Sequence, residues 1–564
     1  MKSLQRLRLP GMALAVVGFL LFLTSSVQTA ETPTTPKKIT TVEGITEYQL
    51  DNGLRILLCP DPSTSNLTVN LTVLVGSRHE GYGETGMAHL LEHMVFKGTP
   101  THGNIPKILR DHGARWNGTT NDDRTNYFES MEGTDENLEF GIRFEADRLV
   151  NSFIKREDLL SEMTVVRNEF ERGENSPQAI LNQRMMAAAY EWHNYGKSTI
   201  GNRSDIERVP IENLQAFYKK FYQPDNAVII VTGKFDSDKA LELITKYFGA
   251  LKKPERKLDN TYTEEPAQDG ERLAVLRRVG KVGATGAVYH IPAAAHEDCP
   301  ALEILAGVLT NEPDGRLYKA LVETKKATRV FASARGLHDP GVLTVMTQLD
   351  AENSVEDARD AMLATLENLA KEKFTTEEVD RAKQRFATMQ ERTMTDTNRL
   401  ANVLSEWSAR GDWRLLFVHR DRIAKVSAAD LDRVAAQYLQ RNNRTVGIYV
   451  PSDQAQRAEI PSTPSVAELV KDYKGSQSVE AGEVFDPTPA NVEKRVTRSD
   501  LSSGLKMALL PKKTRGELAT VHLTLRYGNE ESLQGYQTAS GLLAAMLQRG
   551  TQKHSRQEMQ DAFS

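Results

Sequence analysis

A segment near the start of the chain recurs in the same order near its end. LDNGL (50–54) reappears as LSSGL (501–505), LTVLVGSR (71–78) as LTLRYGNE (523–530), and HLLEHMVFKGT (89–99) as GLLAAMLQRGT (541–551). The offset is 451 positions for the first pair and 452 for the other two, so one inserted residue preserves the register. Any strand–turn–strand–helix unit would share part of this pattern, but a register kept over about 50 residues favours duplication. We therefore expect related units in tandem.

Between the two copies, strand and helix patterns alternate in two series. A charged, proline-containing stretch at 252–270 separates the series, and each series closes on a strongly apolar strand pattern. The patterns predict two domains, each a sheet carrying helices, at 46–255 and 271–450. A linker at 451–496 and the truncated start of a third domain at 497–564 are expected to follow.

The amino-acid composition excludes several classes of protein. The 564 residues carry 71 Lys and Arg against 76 Asp and Glu, a balance that argues against a nucleic-acid partner. Hydrophobic residues make up 39% of the chain, which excludes wholesale disorder. Two cysteines, Cys59 and Cys299, exclude a disulfide scaffold and a Cys-rich zinc ribbon, and the sequence leaves open whether they pair.

The N-terminus has the three-part pattern of a secretory signal peptide. Lys2, Arg6 and Arg8 precede an apolar run at 11–23, and small residues follow up to Ala30. An uncleaved anchor is the alternative, but this run is short for a bilayer that needs about 20 apolar residues. We expect residues 1–30 to be removed as a signal peptide and residues 31–45 to form a leader. The mature protein is then expected to be periplasmic or secreted, with no stable membrane insertion.

The first copy of the repeat carries a metal-binding pattern that the second copy lacks. His89 and His93 lie one helical turn apart on one face, where both imidazoles can reach one zinc ion. Glu92 leans over the same face, beside the metal rather than on it, in the inverted H-x-x-E-H order. A solvated helix face is the alternative interpretation. In the second copy the three positions hold Gly541, Ala544 and Ala545.

A catalytic zinc needs a third protein ligand and an open position for water. The helical pattern at 156–172 offers Glu162 and Glu169, which lie seven residues apart and therefore on one face. Glu157 and Glu171 lie on the same helix, so spacing alone does not choose among these carboxylates.

The residues around these positions resemble the pitrilysin/insulinase family of zinc peptidases. The resemblance runs from about residue 46 to about 450 and rests on HLLEHMVFKG (89–98), the two glutamates of 156–172, HGARWNGTTNDDRTNYF (112–128), GKSTIGN (196–202) and FYKKFYQPDNAVIIVTG (217–233). In that family the third zinc ligand lies 76 positions after the second histidine, which implies Glu169 here. Glu162 matches the family's second glutamate, which orients the site. The resemblance thus implies one Zn²⁺ per chain, although cobalt or manganese would suit the same ligands.

The resemblance also implies a fold and a reaction. The fold is α+β, with tandem related domains that are each a mixed, mostly antiparallel sheet with helices packed on it. The reaction is hydrolysis of peptides or unfolded polypeptides by an endopeptidase, with a zinc-activated water and Glu92 as general base. The stretch 114–121 resembles an edge strand that pairs with the substrate backbone, where Asn117 matches the family's Asn and Gly118 replaces its Ala. A turn residue is the alternative interpretation of Asn117.

The family encloses substrate in a chamber between two halves, and its second half is usually free of metal. About 70 residues of a second half are present here (497–564), so we expect the chain to need its missing second half, or a partner half, to close the chamber. A non-catalytic binding or assembly homologue of the same fold is the alternative function. A zinc hydrolase that acts on other bonds is a third.

Overall fold

The computed structural model describes residues 35–475 and 478–564. It divides into two compact units, one ending at Arg457 and the other spanning Ala458–Ser564. The predicted signal peptide at 1–30 lies outside the described residues. Among the described residues, no helix combines the length and apolar character needed to cross a bilayer.

The first sheet has seven strands in the order β1-β2-β3-β7-β4-β6-β5. Their bounds are β1 Lys37–Val42, β2 Ile45–Gln49, β3 Arg55–Pro60, β4 Asn66–Val73, β5 Arg115–Thr120, β6 Thr125–Glu132 and β7 Ala227–Gly233. All neighbours are antiparallel except β3 and β7, which run parallel. Every residue of β7 is buried, as expected for an apolar run held between two strands and covered on both faces.

Eight helices belong to the first series. They are α1 Met87–Met94, α2 Ile105–Asp111, α3 Asp135–Asn151, α4 Arg156–Glu174, α5 Pro177–Ala189, α6 Arg203–Arg208, α7 Ile211–Phe221 and α8 Ser237–Phe248. Side-chain oxygens of Thr134 and Asp236 accept amide hydrogens from the first turns of α3 and α8, which fixes where these helices begin. The apolar faces of α1, α3, α7 and α8 form one core with one face of the first sheet.

The second sheet has five strands in the order β10-β11-β9-β12-β8. The strands are β8 Arg272–Val279, β9 Ala284–His290, β10 Arg329–Arg335, β11 Val342–Gln348 and β12 Arg444–Ser452, and the helices are α9 Cys299–Thr310, α10 Val355–Asn368, α11 Thr376–Met394, α12 Thr397–Ala409, α13 Leu415–Lys425 and α14 Ala428–Tyr438. The strands pair antiparallel except β8 with β12. Both sheets are therefore mixed and mostly antiparallel, which confirms the predicted α+β fold class.

Each series contributes one helix to the sheet of the other series, an arrangement we call the helix exchange. Helix α5 belongs to the first series but packs on the second sheet, where Leu181 and Met185 share a core with Val288. Helix α12 belongs to the second series but covers the first sheet, where Leu404 packs with Ile230. Each sheet is thus enclosed between its own helices and one helix from the other series, and neither core is complete without the other.

The leader prediction is wrong for residues 37–45. Residues Lys37–Val42 form strand β1 at the edge of the first sheet, paired antiparallel with β2 through a turn at Glu43 and Gly44. Most of this strand is exposed, so backbone pairing rather than burial makes it a strand. A hydrophobic pattern does not report that kind of pairing.

The unit Ala458–Ser564 contains less sheet than the repeat predicts. It has helices α15 Val466–Val470, α16 Pro489–Arg495, α17 Gln537–Met546 and α18 Arg556–Phe563, and strands β13 Thr497–Asp500 and β14 Lys506–Leu509. The segment 523–530, the counterpart of the end of β4, is not a strand. In the first sheet β4 lies between β6 and β7, and the described part of this unit contains no counterpart of either.

Candidate metal centre

Helix α1 carries the inverted histidine motif, and its beginning is fixed by two contacts. Gly86 precedes the helix with a left-handed φ of 86°, and a Cβ there would lie 2.6 Å from the carbonyl oxygen of Ile200, so no other residue fits. The buried carboxylate of Glu80 accepts hydrogens from the backbone amides of Gly86 and Ala88, each at 2.9 Å. Burial raises the pKa of Glu80 to about 8, even though both hydrogen bonds favour the carboxylate. These contacts set the position of the first helical turn, which carries His89.

Helix α4 brings Glu169 to the two histidines of α1. Its Oε2 lies 3.6 Å from Nε2 of His89 and 3.7 Å from Nε2 of His93. Ligand atoms about 3.4 Å apart are expected around a tetrahedral zinc with bonds of about 2.0–2.1 Å. All three ligand atoms lie within 4.8 Å of one another. This donor set of two imidazoles and one carboxylate therefore fits zinc, with a fourth position left for water.

The second glutamate of α4, Glu162, contacts His93 on the side away from that convergence. Nδ1 of His93 lies 3.2 Å from Oε2 of Glu162, and the other oxygen of Glu162 forms an ion pair with Lys97. A histidine that donates Nδ1–H to a carboxylate presents Nε2 to a metal, which is the usual arrangement of metal-bound histidines. Burial, and then the neighbouring His93, lower the pKa of His89 to about 4, so His89 is neutral near pH 7 and able to bind a metal.

Glu92 lies beside the convergent ligands and is itself buried, with 9% of its surface exposed. Burial raises the pKa of its carboxyl above the ordinary value, and a hydrogen bond from Thr120 opposes that shift. The Thr120 hydroxyl donates to Oε2 of Glu92 at 2.7 Å. The other oxygen, Oε1, accepts no hydrogen bond from the described residues.

Strand β5 forms the outer edge of the first sheet and runs past Glu92. Asn117 is exposed on this strand, whereas Gly118 is buried beside Glu92 and Phe96. Because β5 has a strand partner on one side only within the described sheet, the backbone groups of its other side are free to pair with an extended peptide.

A cavity of about 410 Å³ opens next to Glu92 and His93. Its apolar lining comes from Phe96, Ile105, Pro106 and Trp116, and its polar lining includes Asn117, Lys97 and Glu162. The rings of Phe96 and Trp116 pack 5.1 Å apart. The cavity is large enough for a bulky apolar side chain beside the metal-binding face.

The structure brings together His89, Glu92, His93, Glu162 and Glu169, the five residues predicted from motif and resemblance to form the centre. Two further residues were missed. Thr120 holds Glu92, and Glu80 holds the start of α1. An acidic residue before a glycine-rich helix start is a recognisable signal for Glu80 because carboxylates favour helix N-termini. No local signal marks Thr120, which meets Glu92 through the sheet.

Two family models match the chain. One, described as Insulinase (Peptidase family M16), covers residues 55–203, and the other, described as Peptidase M16 inactive domain, covers 208–386. The residues of the centre, from His89 to Glu169, all lie within the first match. The second match covers most of the second series, which carries no counterpart of this centre among the described residues.

Among the curated relatives is the zinc protease PqqE of Helicobacter pylori, 30% identical over 409 residues, which cover 71% of this chain and 92% of the relative. A solved protease structure from H. pylori superposes with a TM-score of 0.69 at 29% identity, covering 74% of this chain and all of that one. The first half of the periplasmic protease PqqL from Escherichia coli has the same fold, with a TM-score of 0.60 at 21% identity, and the match covers 74% of this chain and 94% of that one.

Proposed function

The chain belongs to the insulinase family of peptidases, family M16, and from that premise we propose that it is an exported zinc-dependent endopeptidase acting on peptides or unfolded polypeptides. The observation that carries the proposal is the convergence of His89, His93 and Glu169 beside the buried Glu92. The relatives' description as zinc proteases supports the metal and the peptidase chemistry.

His89, His93 and Glu169 are proposed to hold one zinc ion, which supplies a Lewis acid that acidifies water and polarises the scissile carbonyl. Glu92 is the proposed general base. Its Oε2 is occupied by the Thr120 hydroxyl, so Oε1 takes the proton of the attacking water and later delivers it to the leaving amine. Glu162 holds His93 in the tautomer that presents Nε2.

The free edge of β5 is the proposed binding site for the substrate backbone. Main-chain pairing gives affinity with little dependence on side chains, which suits a peptidase with varied substrates. Asn117 is exposed on that strand and also lines the cavity of about 410 Å³, so it is placed to contact both backbone and side chain of a bound peptide. Gly118 gives Glu92 the room it needs beside the strand.

A second half is the proposed partner of this catalytic half. We assign catalysis to the domain at 46–255 and a metal-free supporting role to the domain at 271–450. The unit Ala458–Ser564 exposes large apolar side chains whose counterparts in the first domain are buried, among them Leu523, Leu542 and Leu543. Further chain that packs on those residues would complete this unit and close a chamber.

Export is part of the proposal because residues 1–30 have a signal-peptide pattern. The PqqL structure is described as that of a periplasmic protease, which agrees with the same compartment here. Cys59 and Cys299 are unpaired in the structure.

A non-catalytic homologue of the same fold is the second candidate, favoured by the inactive-domain match at 208–386. That match excludes all of the proposed zinc residues, which lie between 89 and 169. A binding role would not require a buried carboxylate beside three convergent metal ligands. The catalytic proposal therefore explains more of the structure.

The proposal is tested with purified protein, a quenched fluorescent peptide library and metal analysis. The Glu92→Gln variant keeps the shape of the side chain and loses the base, so it should bind zinc and cleave at least 100-fold more slowly than the wild type. The exposed Glu171→Gln is the matched control. Equal cleavage by wild type and Glu92→Gln would refute the mechanism, and an inactive, zinc-free wild type would favour the binding role.

A further inference from the structure

Glu406 lies on α12, the helix that the second series contributes to the first sheet. Its half-buried carboxylate faces the tight turn between β5 and β6. Oε2 accepts hydrogens from Nδ2 of Asn121 at 2.8 Å and from Nε of Arg124 at 3.0 Å, and Oε1 lies 3.1 Å from the same Asn121 nitrogen. One side chain of the second domain thus holds both ends of this turn.

Side chains of the turn also bind its own backbone. Oδ1 of Asn121 accepts the amide hydrogens of Asp123 and Arg124, each at 2.9 Å. The guanidinium of Arg124 also donates to the carbonyl oxygen of Thr119 at 3.2 Å and to its hydroxyl at 2.7 Å. Arg124 is only 7% exposed, so this buried cation depends on the carboxylate of Glu406 as its partner.

The turn begins at the residue that touches the proposed base. Thr120 is the last residue of β5, directly between Thr119 and Asn121, and its hydroxyl donates to Oε2 of Glu92 at 2.7 Å. Any movement of the turn therefore moves the hydroxyl that fixes the rotamer of Glu92. Displacements of about 1 Å in a catalytic group can cost about 100-fold in rate.

We propose that Glu406 of the second domain is a positioning residue for Glu92, acting through Asn121, Arg124 and Thr120. The inference rests on the proposed peptidase function. It assigns the second, metal-free domain a role in catalysis beyond support, because a side chain of α12 helps to hold the turn that positions the base of the first domain.

Glu406→Gln removes the negative charge that pairs with Arg124 and replaces one of the two acceptor oxygens with an amide nitrogen. It therefore tests the first contact of the proposed path, between Glu406 and the β5–β6 turn. We expect kcat to fall about tenfold, with KM within twofold of the wild type and one zinc per chain retained. Ser405→Ala is the matched control, because Ser405 is the adjacent residue of α12 and accepts a hydrogen bond from Thr72 at 2.7 Å, away from the turn. It should leave kcat unchanged. Glu406→Asp keeps the charge but shortens the side chain, and gives the same comparison if Glu406→Gln does not fold.

Variants of Thr120 test the last contact of the proposed path, between Thr120 and Glu92. Thr120→Val removes the hydroxyl and should lower kcat about tenfold or more, whereas Thr120→Ser keeps the hydroxyl and should restore most of the rate. If Glu406 acts through Thr120, adding Glu406→Gln to Thr120→Val should lower kcat by less than twofold further. Fully multiplicative losses in the double variant would overturn the proposal, as would an unchanged kcat in Glu406→Gln.

Hydrogen exchange on the metal-free protein tests the same link without activity. Amides of residues 119–125 should exchange at least tenfold faster in Glu406→Gln than in the wild type and in Ser405→Ala. Unchanged exchange would overturn the proposal even if kcat fell. If the wild type cleaves no peptide, the proposed function is refuted. Faster exchange in Glu406→Gln would still support the mechanical link between Glu406 and the turn.

Discussion

Gly118 lies so close to Glu92 that a Cβ at position 118 would stand 2.9 Å from Oε1 and 3.0 Å from Cγ of the glutamate. The ring of Phe96 would also lie 3.0 Å from that Cβ. The backbone of β5 is therefore in direct contact with the proposed general base. Because Thr120 holds the other carboxylate oxygen, Glu92 cannot turn away freely.

Enlarging Gly118 should therefore act on the rate rather than on metal binding. We predict that Gly118→Ala lowers kcat a few-fold, since the end of Glu92 can shift slightly, and that Gly118→Val lowers it at least 100-fold. Both variants should keep one zinc per chain, as measured by metal analysis beside steady-state kinetics. Wild-type kcat in Gly118→Val would contradict the contact.

The cavity beside Glu92 predicts a preference for a large apolar residue next to the cleaved bond. Trp116 supplies much of its apolar wall together with Phe96. Trp116→Ala should lower kcat/KM about 10- to 100-fold for peptides with Phe or Leu at that position, and much less for peptides with Ala there. Trp192→Ala, at an exposed tryptophan outside this cavity, is the control. An equal loss for both kinds of peptide would argue against a side-chain pocket.

Asp147 predicts a loss of stability in acid. Burial alone would raise the pKa of the Asp147 carboxyl. Hydrogen bonds from His102, Thr101 and Thr99 outweigh burial and hold this pKa well below its usual range. At low pH the unfolded chain therefore binds more protons at this carboxyl than the folded chain does. The ionised carboxylate stabilises the fold fully above about pH 4 and progressively less as the pH falls below that value.

Thermal unfolding at two pH values measures this contribution. Asp147→Asn should lower the Tm near neutral pH, where hydrogen bonds to a charged group are worth about 1.5–3 kcal/mol. Its Tm should then fall less than that of the wild type between about pH 6 and pH 3. Exposed Asp238→Asn should behave like the wild type. Parallel Tm curves for Asp147→Asn and wild type would contradict the prediction.

The helix exchange predicts cooperative unfolding of both sheets. Leu404 of α12 is fully buried against the first sheet, so Leu404→Ala should cost about 2–5 kcal/mol. Because α12 is also part of the second series, the whole unit up to Arg457 should unfold in one transition, shifted to lower temperature. All four tryptophans, at 116, 192, 407 and 413, lie in this unit and report its unfolding by fluorescence.

Leu160→Ala, at an exposed leucine of α4, is the control for that experiment and should leave the Tm within about 1 °C. Two resolved transitions in the wild type, with only one shifted by Leu404→Ala, would contradict cooperative unfolding of the two sheets.

The sequence predicted the local parts of this structure well. The spacing of His89 and His93 places both on one helix face, and the alternating strand and helix patterns reproduce both series. The choice of Glu169 over the other carboxylates of α4 came from the family resemblance, and the structure brings this residue to the histidines. The spacing of Glu162 and Glu169 alone could not distinguish a metal ligand from a residue that orients one.

The packing of elements that lie far apart in the chain could not be predicted from the sequence. The apolar stripe of α12, with Leu400, Leu404 and Trp407, predicts a buried face but not which sheet covers it. The contacts of Glu406 with the β5–β6 turn exist because α12 packs on the first sheet. The sequence did not predict that packing, so it did not predict these contacts. The segment 523–530 repeats the pattern of β4, but the described part of its unit offers it no neighbouring strands, and a sequence pattern does not supply strand partners.

The central claim is that His89, His93 and Glu169 together hold one zinc ion, and the metal content of purified protein tests it most directly. Wild type and Glu171→Ala, which alters an exposed glutamate of the same helix, should each contain one zinc per chain, measured by mass spectrometry after dialysis. Glu169→Ala should fall to below about a tenth of that content while remaining folded. A wild type without zinc, or a Glu169→Ala variant that keeps the full content, would contradict the account.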